Sequence, residues 1–225
     1  MNYRLSPSEL TFLYGGCKRC YYLKTVHDIR QPSIPMPSIF VRIASLLKDH
    51  YDGKRTQELC PELPPGVVKY GETYVRSEPI RREGHTDTCS ITGRFDIVVE
   101  FDDGTYGVID FKTGNPRKEY ARFYSRQLHA YAYALEHPAP GFLGLFPVSK
   151  LGLLYFHPSK TSQVSTDWLS YDAEIHWIEV VKDEEGFLGF VDEVLNVLES
   201  PEVPPPSPGC QWCDYVNRLS GLSEL

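Results

Sequence analysis

The sequence has no apolar run approaching the roughly 20 residues that a membrane-spanning helix needs. Its first residues, Met-Asn-Tyr-Arg-Leu-Ser-Pro, lack the charged and then apolar pattern of a secretory signal. With 41% hydrophobic and 24% charged residues, the composition excludes collagen-like, coiled-coil and disordered chains. We therefore expect a globular protein of the cytoplasm that has no membrane partner.

Positive charge is scarce as well. The chain carries 23 Lys and Arg residues against 30 Asp and Glu residues, which gives a formal net charge of −7. This balance argues against a protein that coats nucleic acid nonspecifically. It leaves open an enzyme with a local basic groove.

The 225 residues are enough for one sizeable core, so we expect a single domain over 1–225. We divide it into an N-terminal helical part at 1–60, a core at 67–200 and a C-terminal segment at 201–225. Five prolines fall between Pro201 and Pro208. They exclude a helix or a central strand there and indicate a stiff connector.

Hydrophobic periodicity predicts an α/β protein with one mixed sheet flanked by helices. A capping box at Ser6–Glu9 marks the start of the first helix. The helices are predicted at 6–14, 17–24, 38–51, 119–136 and 187–198, and the strands at 67–70, 73–82, 90–101, 106–111, 151–157 and 175–181.

Two carboxylates and a lysine form the strongest chemical signal. Asp96 lies on one predicted strand, and Asp110 and Lys112 lie on the next, across a turn at Asp102-Asp103-Gly104. Asp110 and Lys112 share a strand face because they are two residues apart. Asp96 and Asp110 are nearly equidistant from the turn, so we expect them to be neighbours in an antiparallel pair.

Converging carboxylates repel unless a cation joins them, and hard oxygen ligands select Mg²⁺ or Mn²⁺. A nearby lysine can serve the attacking water, so the set suits metal-assisted phosphodiester hydrolysis. The competing interpretation is a solvated surface ion pair. Asp110 follows the apolar Val108-Ile109, where an unpaired buried charge is costly, and this favours a site.

The following predicted helix carries Gln127 and Tyr131, four residues apart and therefore on one face. The order Gly-x-x-Asp, hairpin, Ile-Asp-x-Lys-Thr-Gly and Gln-x-x-x-Tyr resembles the PD-(D/E)XK nuclease superfamily. It is most similar to the RecB-like branch, which includes CRISPR-associated RecB-like exonucleases. The resemblance implies a restriction-endonuclease-like fold and a DNA nuclease that acts on ends or single strands.

The resemblance also implies roles for individual residues. Asp96, Asp110 and the main-chain carbonyl of Phe111 would bind Mg²⁺ or Mn²⁺, and Lys112 would position or activate water. Gln127 and Tyr131 would orient Lys112 or contact the DNA backbone.

The sequence departs from this branch on the helix before the sheet. The branch usually has a metal-binding histidine on the helix before the sheet, but residues 38–43 contain none, His50 is too far along to align simply and His85 falls in a predicted loop. The third side-chain ligand is therefore open. The alternative function is a nucleic-acid-binding or regulatory metalloprotein with a decayed nuclease site.

Two Cys-x-x-Cys pairs, Cys17/Cys20 and Cys210/Cys213, lie near opposite ends of the chain. Four thiolates can bind either Zn²⁺ or a [4Fe–4S] cluster. The alternative interpretation is that the four cysteines are unrelated thiols. Related nucleases join their termini with an iron–sulfur cluster, usually with one cysteine upstream and three downstream. By that resemblance we expect a [4Fe–4S] cluster here, with Zn²⁺ as the alternative. Cys60 and Cys89 have no partner by spacing and are interpreted as structural.

A local basic strip is the remaining candidate feature. It comprises Arg117, Lys118, Arg122 and Arg126, which precede or lie on the helix that carries Gln127. Such a strip can follow phosphates, although a solvated helix face is an equally good interpretation. The expected partners are DNA and, from the resemblance, proteins of a CRISPR or recombination and repair complex.

Overall fold

The computed structural model describes residues 1–32 and 35–222. A mainly helical N-terminal part is followed by strands and helices in mixed order. The elements are β1 (Asn2–Leu5), α1 (Pro7–Glu9) with a π-helical continuation (Leu10–Tyr14), α2 (Lys18–His27), α3 (Ser38–Tyr51), α4 (Thr56–Leu59), β2 (Gly66–Gly71), β3 (Tyr74–Arg76), β4 (Thr88–Arg94), β5 (Ile97–Phe101), β6 (Tyr106–Thr113), α5 (Glu119–Glu136), β7 (Val148–Ser165), β8 (Trp168–Val180), α6 (Glu184–Leu198) and α7 (Gln211–Leu222).

The strands form two mixed sheets, which confirms the predicted α/β class but not a single sheet. The larger sheet has the order β2-β5-β6-β7-β8, with β6 and β7 parallel and the other neighbours antiparallel. The smaller sheet has the order β1-β4-β3, with β1 and β4 parallel. Helices flank both sheets.

The division between the sheets falls within the strand predicted at 90–101. The chain leaves one sheet after Arg94 and enters the other at Ile97. A Cβ at Gly93 would lie 2.8 Å from the Pro7 ring and 3.1 Å from the Tyr131 ring, so only glycine fits there. The Tyr131 hydroxyl donates a hydrogen bond to the Arg94 carbonyl oxygen (2.7 Å). These contacts with α1 and α5 direct the chain out of the first sheet just before Asp96.

The predicted helix at 6–14 is present, but its capping box is not. Ser6 makes no side-chain capping hydrogen bond, and Glu9 instead forms an ion pair with Lys24 of α2. Helix α5 spans the predicted residues, and α6 begins three residues before its predicted start. The Asp183 side chain caps α6 by accepting from the Gly186 backbone N–H (2.8 Å).

Several elements exceed the sequence prediction. Helix α7 occupies residues that were assigned only to the C-terminal cysteine segment. Strands β7 and β8 extend well past their predicted ends into a long hairpin whose outer residues are mostly exposed. The antiparallel backbone ladder continues there without a buried face, so hydrophobic alternation did not mark it.

The larger sheet is covered on both faces, and this positions the candidate site. Val108 of β6 packs into the cluster that includes α5 and α6, whereas Ile109 and Phe111 pack with Tyr51 of α3. Because strand side chains alternate, Asp110 points toward α5. None of the helices in the described part of the chain combines the length and the hydrophobicity of a membrane span.

Candidate nuclease site and four-cysteine site

The two carboxylates predicted to be neighbours are brought together by the β5–β6 hairpin. Ile97 lies opposite Ile109, so Asp96 and Asp110 lie side by side just beyond this pair. The Phe111 backbone N–H donates to Asp96 Oδ2 (2.8 Å). This bond ties the loop before β5 to the strand that carries Asp110.

Asp110 is buried at 4% exposure, and its two oxygens have different environments. Oδ1 accepts a hydrogen bond from Gln127 Nε2 (3.0 Å), and Oδ2 forms an ion pair with the Lys112 ammonium. Burial raises the pKa of Asp110 to about 6, with Asp96 adding to the rise and Lys112 opposing it. The carboxylate therefore lies in a dry site with a cation already beside it.

Lys112 lies on the same strand face as Asp110, as predicted. Its Nζ also lies 4.1 Å from the centre of the Tyr124 ring of α5, a cation–π contact that fixes the ammonium. Tyr124 was not among the predicted site residues. Its spacing of three residues from Gln127 placed it on the same helix face, which was the available signal.

Lys48 of α3 is a site residue that sequence analysis missed. Its Nζ lies 2.9 Å from Asp96 Oδ1 and 2.5 Å from Glu72 Oε1. Burial lowers the pKa of Lys48, but the bonds to Glu72 and Asp96 outweigh it and raise the pKa above its ordinary value. Nothing in its local pattern distinguished Lys48 from an ordinary helix-surface lysine.

Glu72 follows β2 in a left-handed conformation, with a φ of 42°. Its backbone N–H donates to the Asp96 carbonyl oxygen (3.0 Å), and this turn brings its side chain to Lys48. The ammonium lowers the pKa of Glu72 by hydrogen bonding to its carboxylate. His50, also on α3, lies next to Lys54 instead (3.2 Å).

Gln127 and Tyr131 are both buried on α5, but neither is seen to contact Lys112. Gln127 donates to Asp110, and its Oε1 has no hydrogen-bond partner among the described residues. Tyr131 donates to the Arg94 carbonyl. The two side chains thus support Asp110 and the backbone before Asp96.

The predicted basic strip is divided between two places. Arg117 and Lys118 are exposed at the start of α5. Arg122 and Arg126 line a groove between α5 and α6 together with His129, on a different helix face from Gln127. The Arg126 guanidinium lies over the Phe190 ring (4.3 Å), so this side chain packs against α6.

The four cysteines of the two Cys-x-x-Cys pairs lie together. All four sulfur atoms are within 4.8 Å of one another, and the group joins the start of α2 to the start of α7. Burial raises the pKa of Cys17, but backbone N–H groups of Ser207 and Cys20 donate to its sulfur and lower the pKa to about 6. Burial raises the pKa of Cys213 to about 11.

The other two cysteines are separate from this group. Cys60 is buried among the residues that pack beneath α3, and Cys89 is buried in the main core. Burial raises the pKa of both thiols. Their positions agree with the structural interpretation.

Comparisons with known proteins extend these observations. Residues 42–218 match the family model described as the PD-(D/E)XK nuclease superfamily. The solved structure of SSO0001 is similar in fold, with a TM-score of 0.51 and 17% sequence identity, over 88% of this chain and 78% of that one. No curated protein matches the chain.

Proposed function

Because this chain belongs to the PD-(D/E)XK nuclease superfamily, we propose that it is a metal-dependent deoxyribonuclease that acts on ends or single strands. The observation that carries the proposal is the convergence of Asp96, Asp110 and Lys112 on adjacent strands. A surface ion pair does not require a buried carboxylate, whereas a buried carboxylate is well suited to a hydrolytic metal site.

Asp96, Asp110 and the Phe111 carbonyl would hold Mg²⁺ or Mn²⁺. The residues fit such an ion, because the donor set consists of hard oxygens and Gln127 Oε1 is buried with no hydrogen-bond partner in the described part of the chain. When bound, the cation supplies charge neutralisation at the phosphate and a lowered pKa for a bound water. We propose Asp96 and Asp110 as its side-chain ligands.

The remaining residues of the site would act on the substrate or on those ligands. Lys112, held by Asp110 and the Tyr124 ring, would orient the attacking water and offset phosphate charge. Gln127 and Tyr131 would be positioning residues, since one fixes Asp110 and the other fixes the chain before Asp96.

Lys48 would hold Asp96 in place and balance its charge when no metal is bound. The ammonium already occupies one Asp96 oxygen. A divalent cation must therefore compete with Lys48 for this carboxylate. Glu72 would act through Lys48 by restraining its side chain.

DNA would be held by exposed basic side chains at the start of α5, Arg117 and Lys118, and by Arg122 on the groove side. Membership of the RecB-like branch and work in a CRISPR or recombination and repair complex are proposed from the motif order. A cytoplasmic location is also proposed. The whole of 1–225 would work as one domain, with the four-cysteine group holding a metal cofactor between its ends.

The proposal is tested by digesting labelled single-stranded and duplex DNA with Mn²⁺, Mg²⁺ or EDTA. We expect products with either metal and none with EDTA. Lys112→Ala should remove activity, whereas the matched control Lys160→Ala on the exposed β7–β8 hairpin should not. Activity of Lys112→Ala equal to that of the unmodified protein would refute the assignment.

A second candidate function is nucleic-acid binding without cleavage. The observation that favours it is the ion pair between Lys48 and Asp96. Lys48 lies on α3, the helix on which the branch usually has a metal-binding histidine. DNA binding by the unmodified protein, with no products under any divalent metal, would support this alternative.

A further inference from the structure

The cysteine group is a second site, separate from the carboxylates, and its sulfur positions are informative. Cys17 and Cys213 sulfurs are 3.8 Å apart, Cys20 and Cys210 sulfurs are 3.8 Å apart, and Cys20 and Cys213 sulfurs are 3.5 Å apart. Every pair lies within 4.8 Å. These separations are too long for disulfide bonds, which join sulfurs at about 2.0 Å.

The three separations of 3.5 to 3.8 Å are close to the edge length of a tetrahedron of thiolates around one ion, and the other sulfur pairs lie within 4.8 Å. A Zn–S bond of about 2.3 Å places the four sulfurs of a regular tetrahedron about 3.8 Å apart. In a [4Fe–4S] cluster each thiolate binds a different iron, and four irons and four sulfides lie between the thiolates. The thiolates must then be much further apart than they are here.

The surroundings also suit a closed structural site. Cys17, Cys20 and Cys213 are buried, and only Cys210 is half-buried. The Ser207 backbone N–H donates to the Cys17 sulfur (3.5 Å), which favours a thiolate at that corner. Four protein thiolates leave no open coordination position for a substrate or water.

We propose that Cys17, Cys20, Cys210 and Cys213 bind one Zn²⁺ ion, and not an iron–sulfur cluster. The ion closes nearly the whole chain into a loop by fixing α2 to α7 across the Pro201–Pro208 connector. Its role is structural, and the proposal does not depend on nuclease activity.

The test gives iron every opportunity to bind. The full chain is produced without a metal-affinity tag in iron-supplemented medium with extra cluster-assembly proteins, and is purified anaerobically. Zinc, iron and acid-labile sulfide are then measured. We expect about one zinc per chain, little iron and no sulfide. Exchange with Co²⁺ should give the visible absorption bands of tetrahedral cobalt thiolate.

Cys213→Ser should lose the zinc, whereas the matched buried cysteine variant Cys60→Ala should keep it. If Cys213→Ser does not fold, stepwise removal of zinc from the unmodified protein with a chromogenic chelator measures the same stoichiometry. Iron with or without sulfide, zinc retained by folded Cys213→Ser, or folded protein without metal would each overturn the proposal. Asp110→Asn should bind zinc normally. Failure of the nuclease assignment would therefore be distinguishable from failure of the zinc proposal.

Discussion

The carboxylate site and the cysteine site differ in how they balance charge. At the carboxylates, two lysines from different elements already pair with Asp96 and Asp110. At the cysteines, the described residues bring four sulfurs together, and Cys17 accepts hydrogen bonds from the backbone N–H groups of Ser207 and Cys20. The first site has its own counter-charges and can exchange a cation, whereas the second needs a resident ion to compensate thiolates.

This difference predicts opposite consequences of mutation. Changes at the carboxylates should alter chemistry with little effect on the fold, because the lysines and Gln127 still hold the strands. Changes at the cysteines should alter stability and leave the chemistry of folded protein intact.

The largest expected effect is on cleavage. Asp110→Asn keeps the shape of the side chain and an acceptor for Gln127, but removes the charge that would hold a divalent cation. We expect a loss of Mn²⁺-dependent cleavage of at least about 100-fold, measured in single-turnover assays on labelled DNA. Asp167→Asn on the exposed hairpin should cleave normally, and a near-normal rate for Asp110→Asn would contradict the assignment.

The next effect is on stability. Cys213→Ser removes a ligand from a site whose metal binding contributes to folding, so we expect the melting temperature to fall by roughly 10 °C. Calorimetry with and without added zinc measures the change. Cleavage per folded molecule at low temperature should be preserved. A melting temperature within a degree or two of the unmodified protein would show that the group does not fasten the chain ends.

A smaller effect is expected at Lys48. Lys48→Ala removes the ammonium that competes for Asp96, and a charge-assisted bond of about 1.5 kcal/mol corresponds to roughly tenfold in affinity. We therefore expect Mn²⁺ to bind about tenfold more tightly, as measured by electron paramagnetic resonance. Lys54→Ala, just after the end of α3, is the control. Weaker Mn²⁺ binding would mean that Lys48 assists the cation instead of competing with it.

The smallest effect concerns Tyr124, which contacts Lys112 through its ring. Tyr124→Leu should lower the maximal rate several-fold, because a partly buried cation–π contact contributes about 1 kcal/mol. Tyr124→Phe keeps a ring and should restore most of the rate. Equal rates for both variants would leave the ring without a role in positioning Lys112.

The local sequence predicted the parts of the fold that local patterns determine. The 3.6-residue period set α5, and the turn at Asp102–Gly104 fixed the register that brings Asp96 and Asp110 together. The two Cys-x-x-Cys pairs are distant in sequence, but their matching spacing was enough to predict that the four cysteines form one group. The roles assigned to Asp96, Asp110 and Lys112 remain predictions.

The parts that sequence analysis missed depend on tertiary contacts. Lys48 reaches Asp96 only because α3 packs on one face of the larger sheet and β2 ends in the turn at Glu72. The division into two sheets depends on how Gly93 packs against Pro7 and Tyr131. Such contacts join residues far apart in sequence, so periodicity and spacing do not reveal them.

Anomalous diffraction from crystals grown with Mn²⁺, recorded at the manganese, zinc and iron absorption edges, tests most directly whether the chain has two different metal sites. We expect a manganese peak between Asp96 and Asp110 and a single zinc peak among Cys17, Cys20, Cys210 and Cys213. Iron at the cysteines, or crystals with no manganese at the carboxylates, would contradict this expectation.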